Sequence, residues 1–367
     1  MGQVSGDDAG SADVLVSREG ALARIEFARI RALNALTTDM RARVAALIPG
    51  FARDANLYAV MLKSASPKAF SAGGDVRELV AWGRDDPQRA RAAFADEYRL
   101  NWMLECFSKP VVSLIDGMVM GSGVGVTLYN THRVAGERYQ FAMPETAIGL
   151  FPDVGVAHAL SRLPGNVGAY LGLTGRGIGR AEAYGLGLAT HCIDAASYGE
   201  IERRLADAEP IDRVLDGLHR DPGEGELTAH RGLIADCFAP STVEEMSEKL
   251  ARAAGAGHDF AAGILKDFAK RSPTSLKITL RHLREAKSKD LRQVLATDYR
   301  LACRCLDGHD FAEGVRAALI DKDNLPVWRP ARITDVTEAM VSAHFAALGE
   351  GSELVLPTRA EMQAARY

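Results

Sequence analysis

Strand-forming runs recur through the first 200 residues of this chain and then stop, and that asymmetry limits its fold more than any single motif. Residues 14–27 read as a hairpin, VLVSR and LARIEF around a turn near Glu19-Gly20. Residues 57–62, 111–115 and 133–135 read as further strands, being short, apolar and rich in β-branched side chains. Helical patterns stand between them. Thr37 or Thr38 is placed to cap a helix that turns Met40, Val44, Leu47, Ile48 and Phe51 to one side. Asp75 and Glu78 form a D-x-x-E capping box for the next. Residues 88–107 predict a longer helix with Phe94, Tyr98 and Leu104 inward, and 124–129 another. Strand, strand, helix, repeated, is an α/β pattern.

Beyond residue 200 the chain turns charged and helix-prone, broken by the DPGEGE stretch at 221–226. Ser272 or Thr274 is placed to cap a helix through SPTSLKITLRHLREA, and residues 291–306 predict a helix ending at Asp307-Gly308. His309 follows on what reads as a helix-ending loop. The expected organisation is a disordered polar lead-in at 1–12, an α/β core at 13–200 and a helical C-terminal region at 201–367.

At 367 residues the chain is long enough to bury a sizeable core. A net charge of -4 and a pI near 6.2 argue against a nucleic-acid partner, while leaving room for a local basic pocket for a phosphorylated ligand. The most apolar stretch, 111–129, contains Asp116 and several glycines and makes a poor membrane span. The N-terminus lacks the basic and apolar regions of a signal peptide, so a cytoplasmic protein is expected. The five cysteines, Cys106, Cys192, Cys237, Cys303 and Cys305, suggest no disulfide framework or metal site and read as packing residues in a reducing compartment.

Three stretches could carry chemistry. FAMPETAIGLFPDVG, at 141–155, sets Glu145 and Asp153 in an otherwise apolar run, each directly after a proline. Carboxylates in apolar surroundings acquire raised pKa values, a common property of proton-transfer and nucleophilic sites; a pair of solvated turn residues is the plainer alternative. Gly73-Gly74-Asp75 and the GxGxG run Gly121–Gly125 each precede a helix, where glycine lets a ligand approach backbone N–H groups. The second run is not the GxGxxG of dinucleotide folds, which argues against NAD. There is no GxSxG nucleophile elbow around a serine and no HExxH pair. Two such glycine turns with paired carboxylates point to acyl or enolate chemistry.

KAFSAGGDV (68–76), PVVSLIDGMVMGSGVGV (110–126) and FAMPETAIGLFPDVG (141–155) resemble the crotonase superfamily of acyl-CoA enzymes. LTGRGIGRAEAYGLGLATH (173–191), SPTSLKITLRHL (272–283) and GHDFAEGVRAALIDKDNLPVWRP (308–330) extend the resemblance to the 3-hydroxyisobutyryl-CoA hydrolase family, over nearly everything from about 14 to 345. The resemblance implies a crotonase-like spiral of strand-strand-helix turns with a helical C-terminal region. It implies hydrolysis of a short 3-hydroxyacyl-CoA thioester, 3-hydroxyisobutyryl-CoA of valine catabolism foremost. The alternatives are an enoyl-CoA hydratase or isomerase and a non-catalytic acyl-CoA-binding relative.

Matched residue by residue, the oxyanion-hole donors fall on Gly74 and Ser122, the active carboxylates on Glu145 and Asp153, and a substrate-contacting glutamate on Glu97, which helix periodicity alone would leave on a solvated face. Lys68, Ala72, Gly73, Gly121 and Arg31 join Glu97 as implied substrate-binding positions. Ser122 departs from the glycine of many relatives, and its hydroxymethyl group is expected to narrow the hole. Gly125 stands where the superfamily's hydratases carry a second catalytic glutamate, which argues against water addition. The loop at 29–31 lacks the proline usual in relatives; either Arg29 or Arg31 is a candidate for CoA phosphates. The implied partner is an acyl-CoA, with CoA entering as part of the substrate, no separate cofactor and no nucleic acid or membrane; a homo-oligomer is a candidate working form.

Overall fold

In a computed structural model, which describes residues 13–365, the chain forms ten strands among the described residues. They are β1 (Val14–Glu19), β2 (Leu22–Phe27), β3 (Ala59–Ser64), β4 (Ala69–Ser71), β5 (Val111–Ile115), β6 (Met118–Met120), β7 (His132–Ala135), β8 (Gln140–Ala142), β9 (Ile178–Gly179) and β10 (His191–Cys192). The expected lead-in at 1–12 lies outside the described residues. β1 and β2 form the antiparallel hairpin, with Gly20 at φ +52° in its turn. β2, β3, β5, β7 and β10 continue the sheet in parallel, in the order β1-β2-β3-β5-β7-β10. β5 (VVSLI) is buried at every position, as a parallel strand covered on both faces requires. One face meets a core cluster running from Val14 to Met362. The other packs Leu22, Met61, Val112 and Val134 on Ile201, Leu205, Val214 and Leu215, from helices Tyr198–Ala206 and Ile211–Leu218.

A second sheet, β4-β6-β8-β9, has strands of two or three residues, too short to show a period in sequence. β4, β6 and β8 run parallel to one another. Their carboxyl ends lead directly into Ala72–Gly73–Gly74, Gly121–Ser122 and Met143–Pro144–Glu145. The ends of adjacent parallel strands are where α/β sheets ordinarily present ligand sites.

The helix Thr38–Arg53 is capped by Thr37, whose Oγ1 accepts the Met40 N–H at 3.2 Å. The helix Pro273–Ala286 is capped likewise by Ser272, and Leu291–Asp307 by an Asp290/Gln293 capping box. Three local expectations differ. Asp75 does not cap Val76–Asp85 with its side chain, because Arg29 and Arg77 take its carboxylate. The helix expected at 124–129 is a single turn, Ser122–Gly125, since two of its four residues are glycine and the chain continues as turns. His309 opens a helix, His309–Val315, and its Nε2 lies 2.9 Å from the Val327 carbonyl.

Among the described residues no strand follows Cys192, and no helix is long and apolar enough to cross a membrane. All five cysteines are free and buried.

Candidate active site

The two glycine turns sit back to back. Gly73 (φ +109°) and Gly121 (φ +45°) hold backbone conformations that a side chain disfavours, and a Cβ on Gly121 would lie 3.4 Å from the Gly73 Cα. Leu36 pins the first turn: its N–H donates to the Gly73 carbonyl at 2.8 Å and its carbonyl accepts from Asp75 N–H at 3.0 Å. Among the described residues neither the Gly74 N–H nor the Ser122 N–H meets an acceptor. The Ser122 hydroxyl lies beside Gly74, 2.7 Å from where a Cβ would stand.

Glu145 opens a 3-10 turn, Glu145–Ile148, directly after Pro144. It is 6% exposed, its Oε1 lies 3.0 Å from the position of a Cβ on Gly121, and its Oε2 has no partner among the described residues. Burial, with the nearby charge of Glu97 second among the raising causes, lifts its pKa from an ordinary 4.5 to about 8. Gly149 (φ +72°) closes the turn against the Asp310 carbonyl, where any Cβ would clash at 2.2 Å.

Asp153 is also buried, and Tyr98 Oη donates to its Oδ2 at 2.8 Å. Burial above all, then the charges of Glu97, Glu145 and Asp298, holds this carboxyl well above the usual carboxylate range. The residue after it, Val154, lies at φ +54°, a costly conformation for a β-branched side chain. The next, Gly155, donates its N–H to Asp298 Oδ2 at 2.7 Å, and Asp298 Oδ1 lies 2.6 Å from His282 Nε2. Asp298 and His282, both fully buried, thus anchor the strained loop from the helical region.

Glu97 is buried, not solvated as its periodicity suggests. Its Oε2 lies 3.6 Å from Arg41 Nη1, whose N–H also donates to the Leu36 carbonyl at 3.0 Å; its Oε1 has no partner among the described residues. Gly125 has no room for a side chain, because its Cβ would meet Asn101 Nδ2 and Val154 Cβ, each at 2.8 Å.

Gly73, Gly74, Gly121, Ser122, Glu145, Asp153 and Glu97 therefore converge. Ala72 stands beside them with its N–H on the Leu33 carbonyl at 3.0 Å. Lys68 and Arg31 do not join the buried cluster: Lys68 is exposed, and Arg31 is largely exposed, 3.6 Å from Asp13. Arg29 is committed to Asp75 at 2.9 Å and to the Ala35 carbonyl, so of the two loop arginines Arg31 is the more exposed cation. Sequence reasoning missed Arg41, Asn101, the Tyr98 hydroxyl and the Asp298–His282 pair. Each sits in a helix; Tyr98 is inward as its position predicts, but only tertiary packing shows what its hydroxyl meets and that the others are buried. The arrangement sets two unpaired backbone donors opposite a carboxyl group that titrates near neutrality, a geometry suited to holding a developing oxyanion beside a nucleophile or base.

The family model described as enoyl-CoA hydratase/isomerase matches residues 22–345. The mitochondrial 3-hydroxyisobutyryl-CoA hydrolase of Rattus norvegicus is 40% identical over 349 residues, 92% of this chain and 90% of that protein. That of Homo sapiens is 41% identical over 347 residues, covering 92% and 89%. Among solved structures, a carnitinyl-CoA dehydratase from Mycobacterium thermoresistibile aligns with a TM-score of 0.88 at 36% identity, covering 94% of this chain and 99% of its own. An enoyl-CoA hydratase from Rhodobacter sphaeroides 2.4.1 aligns with a TM-score of 0.87 at 35% identity, covering 94% and 100%.

Proposed function

The chain belongs to the enoyl-CoA hydratase/isomerase family, on the branch of its 3-hydroxyisobutyryl-CoA hydrolase relatives, and from that premise we propose that it hydrolyses 3-hydroxyisobutyryl-CoA to 3-hydroxyisobutyrate and CoA. The observation that carries the reading is identity of about 40% with those hydrolases along nine-tenths of the chain. The closed space at Gly125 supports it, since there is no room there for a second acid to add water across a double bond.

In this reading the Gly74 and Ser122 N–H groups hold the thioester oxygen as it gains charge. The Glu145 carboxylate attacks the carbonyl carbon, the C–S bond breaks, CoA leaves as thiol after protonation, and water then hydrolyses the acyl-Glu145 anhydride. The alternative is that Glu145 takes the proton of an attacking water. Asp153, whose carboxyl burial holds well above the usual carboxylate range, orients the substrate hydroxyl or the water, and Glu97 positions the acyl end. Oxygen-18 from solvent appearing in Glu145 during a single turnover supports the covalent route with water attacking the anhydride at its glutamyl carbonyl; unlabelled Glu145 rules out that attack and leaves water adding at the acyl carbon, to the anhydride or directly to the thioester.

The decisive experiment follows thiol release from 3-hydroxyisobutyryl-CoA beside loss of enoyl absorbance from crotonyl-CoA. Hydration without thiol release overturns the reading in favour of the hydratase alternative, which the names of the two solved neighbours favour. Full activity in Glu145→Gln overturns the site assignment.

The exposed Arg31 and Lys68 suit the phosphates of CoA, which arrives with the substrate, and no separate cofactor is required. We place the reaction in valine breakdown, for which growth of a deletion strain on valine is the test. Buried free cysteines suit a reducing compartment, which we take to be the cytoplasm. The relatives above are mitochondrial by name, so fractionation decides this point. The change of architecture near residue 200 is proposed as a boundary within one packed body, since a single core cluster crosses it. A homo-oligomer is tested by light scattering.

A further inference from the structure

Asn101 lies on the long helix Pro87–Cys106, one turn after Glu97, and is 1% exposed. Neither its Nδ2 nor its Oδ1 has a hydrogen-bond partner among the described residues. Native interiors seldom keep an amide with both of its groups unpaired, because each gives up water and gains nothing. The Asn101 Nδ2 lies 2.8 Å from the Cβ position of Gly125. Gly125 is one helical turn from Gly121, its N–H donating to the Gly121 carbonyl at 3.1 Å, and Gly121 faces Glu145 Oε1. On the other side, Gly125 touches Val154, the neighbour of Asp153. Tyr98, three residues before Asn101 on the same helix, holds Asp153. The unpaired amide is therefore walled by the glycine turn that faces Glu145 and by the loop that carries Asp153, with the unpaired Glu97 Oε1 one turn away.

We propose that Asn101 is a specificity-determining residue that binds the 3-hydroxyl group of the substrate acyl chain, an inference that rests on the hydrolase reading above. A hydroxyl both donates and accepts, which matches an amide with one free donor group and one free acceptor. An amide has no proton to exchange near neutral pH, so it recognises a neutral polar group without competing with Glu145 for proton transfer. Asp153 Oδ2 is already occupied by Tyr98, and Glu97 Oε2 faces Arg41, which leaves Asn101 the neutral group with both functions open. A site that pairs a substrate hydroxyl discriminates strongly against the analogue lacking it, because the buried partner is then left unpaired.

The test compares kcat/KM for 3-hydroxyisobutyryl-CoA and isobutyryl-CoA by thiol release, in the wild type and in Asn101→Leu, which keeps the bulk and removes both polar functions. The wild type is expected to prefer the hydroxylated thioester by at least about 100-fold, and the variant to prefer it by no more than about 10-fold. The inference is overturned if the wild type does not discriminate. It is equally overturned if the variant loses activity on both thioesters in equal proportion, the result for a residue that positions the attacking water or only packs. If Asn101→Leu does not fold, Asn101→Ser replaces it under the same criterion. If the wild type cleaves neither thioester, the hydrolase reading has failed separately. Calorimetric binding of the two then decides the Asn101 assignment, with equal affinity in wild type overturning it and a preference that the variant loses supporting it.

Discussion

Glu145 gives the sharpest physical prediction, because its burial affects stability as well as chemistry. Its folded-state pKa, about 8, lies above the ordinary 4.5, so the folded protein binds this proton more tightly than the unfolded chain does. A carboxyl shifted upward favours folding fully below its unfolded pKa, and that contribution is lost as pH rises toward the folded value. Between pH 4.5 and 8 the wild type should lose about 1.4 kcal/mol of stability per pH unit through this group, or about 3 kcal/mol on reaching pH 7. Glu145→Gln keeps the shape and cannot ionise. It also removes a charge that helps raise Asp153, which lessens the pH dependence further in the same direction. The variant should therefore match the wild type near pH 4.5 and exceed it progressively up to pH 8, while its thioesterase activity falls by about 10²–10⁴-fold. Urea denaturation of both proteins at half-unit steps from pH 5 to 8.5 measures the difference. A stability difference that stays constant across this range refutes the reasoning, since a group titrating alike in folded and unfolded states produces no slope. Activity gives the companion measurement: kcat/KM of the wild type should rise with pH as the carboxyl ionises, reach half its plateau near pH 8 and level off above that.

Three further substitutions probe the frame around that group. Gly74→Ala puts a methyl group 2.7 Å from the Ser122 hydroxyl and should lower kcat/KM by about 10²–10³-fold; adding Ser122→Gly should recover at least about tenfold of that in the same thiol assay. Asp298→Ala leaves the Gly155 N–H and His282 without their buried acceptor, and urea denaturation should register a loss of about 2–4 kcal/mol, with kcat falling as the Asp153 loop loosens. Gly125→Glu should not gain hydratase activity on crotonyl-CoA. Its side chain runs into Asn101 and Val154, so the expected result is a loss of about 1–3 kcal/mol or more in the same denaturation experiment.

What could be read from the sequence follows the range of the forces involved. Helix starts at Thr37, Ser272 and Asp75 rest on residues within a turn of one another, and two of the three caps form as local chemistry dictates. The third fails because Arg77, two positions away, and Arg29, 46 positions away, together draw off the Asp75 carboxylate. The large sheet is visible as apolar runs. The small sheet is not, since three residues cannot display a period, and yet its strand ends deliver both glycine turns and Glu145. Glu145 and Asp153 stand out as charges in an apolar phrase. Glu97, Asn101 and Arg41 are the reverse case: polar residues on helices, where a solvated face is the natural expectation, turned inward because those two helices pack on each other and bury these side chains.

The anchoring of the Asp153 loop has a consequence for how the chain matures. Gly155 and Asp298 are separated by 143 positions, and this contact joins the Tyr98 hydroxyl on Asp153 and the Tyr129 hydroxyl on the Gly155 carbonyl in tethering the loop of the strained Val154. On a ribosome, all ten strands are made before position 298 is synthesised. The sheets and both glycine turns can thus form while the Asp153 loop still lacks its brace. Loop closure over so long a span is slow relative to pairing of adjacent strands. Full bracing of the loop is accordingly a late event, timed by the arrival of the helix Leu291–Asp307, and nascent chains ending before that helix should hold Asp153 through Tyr98 but lack the Asp298 contact at Gly155.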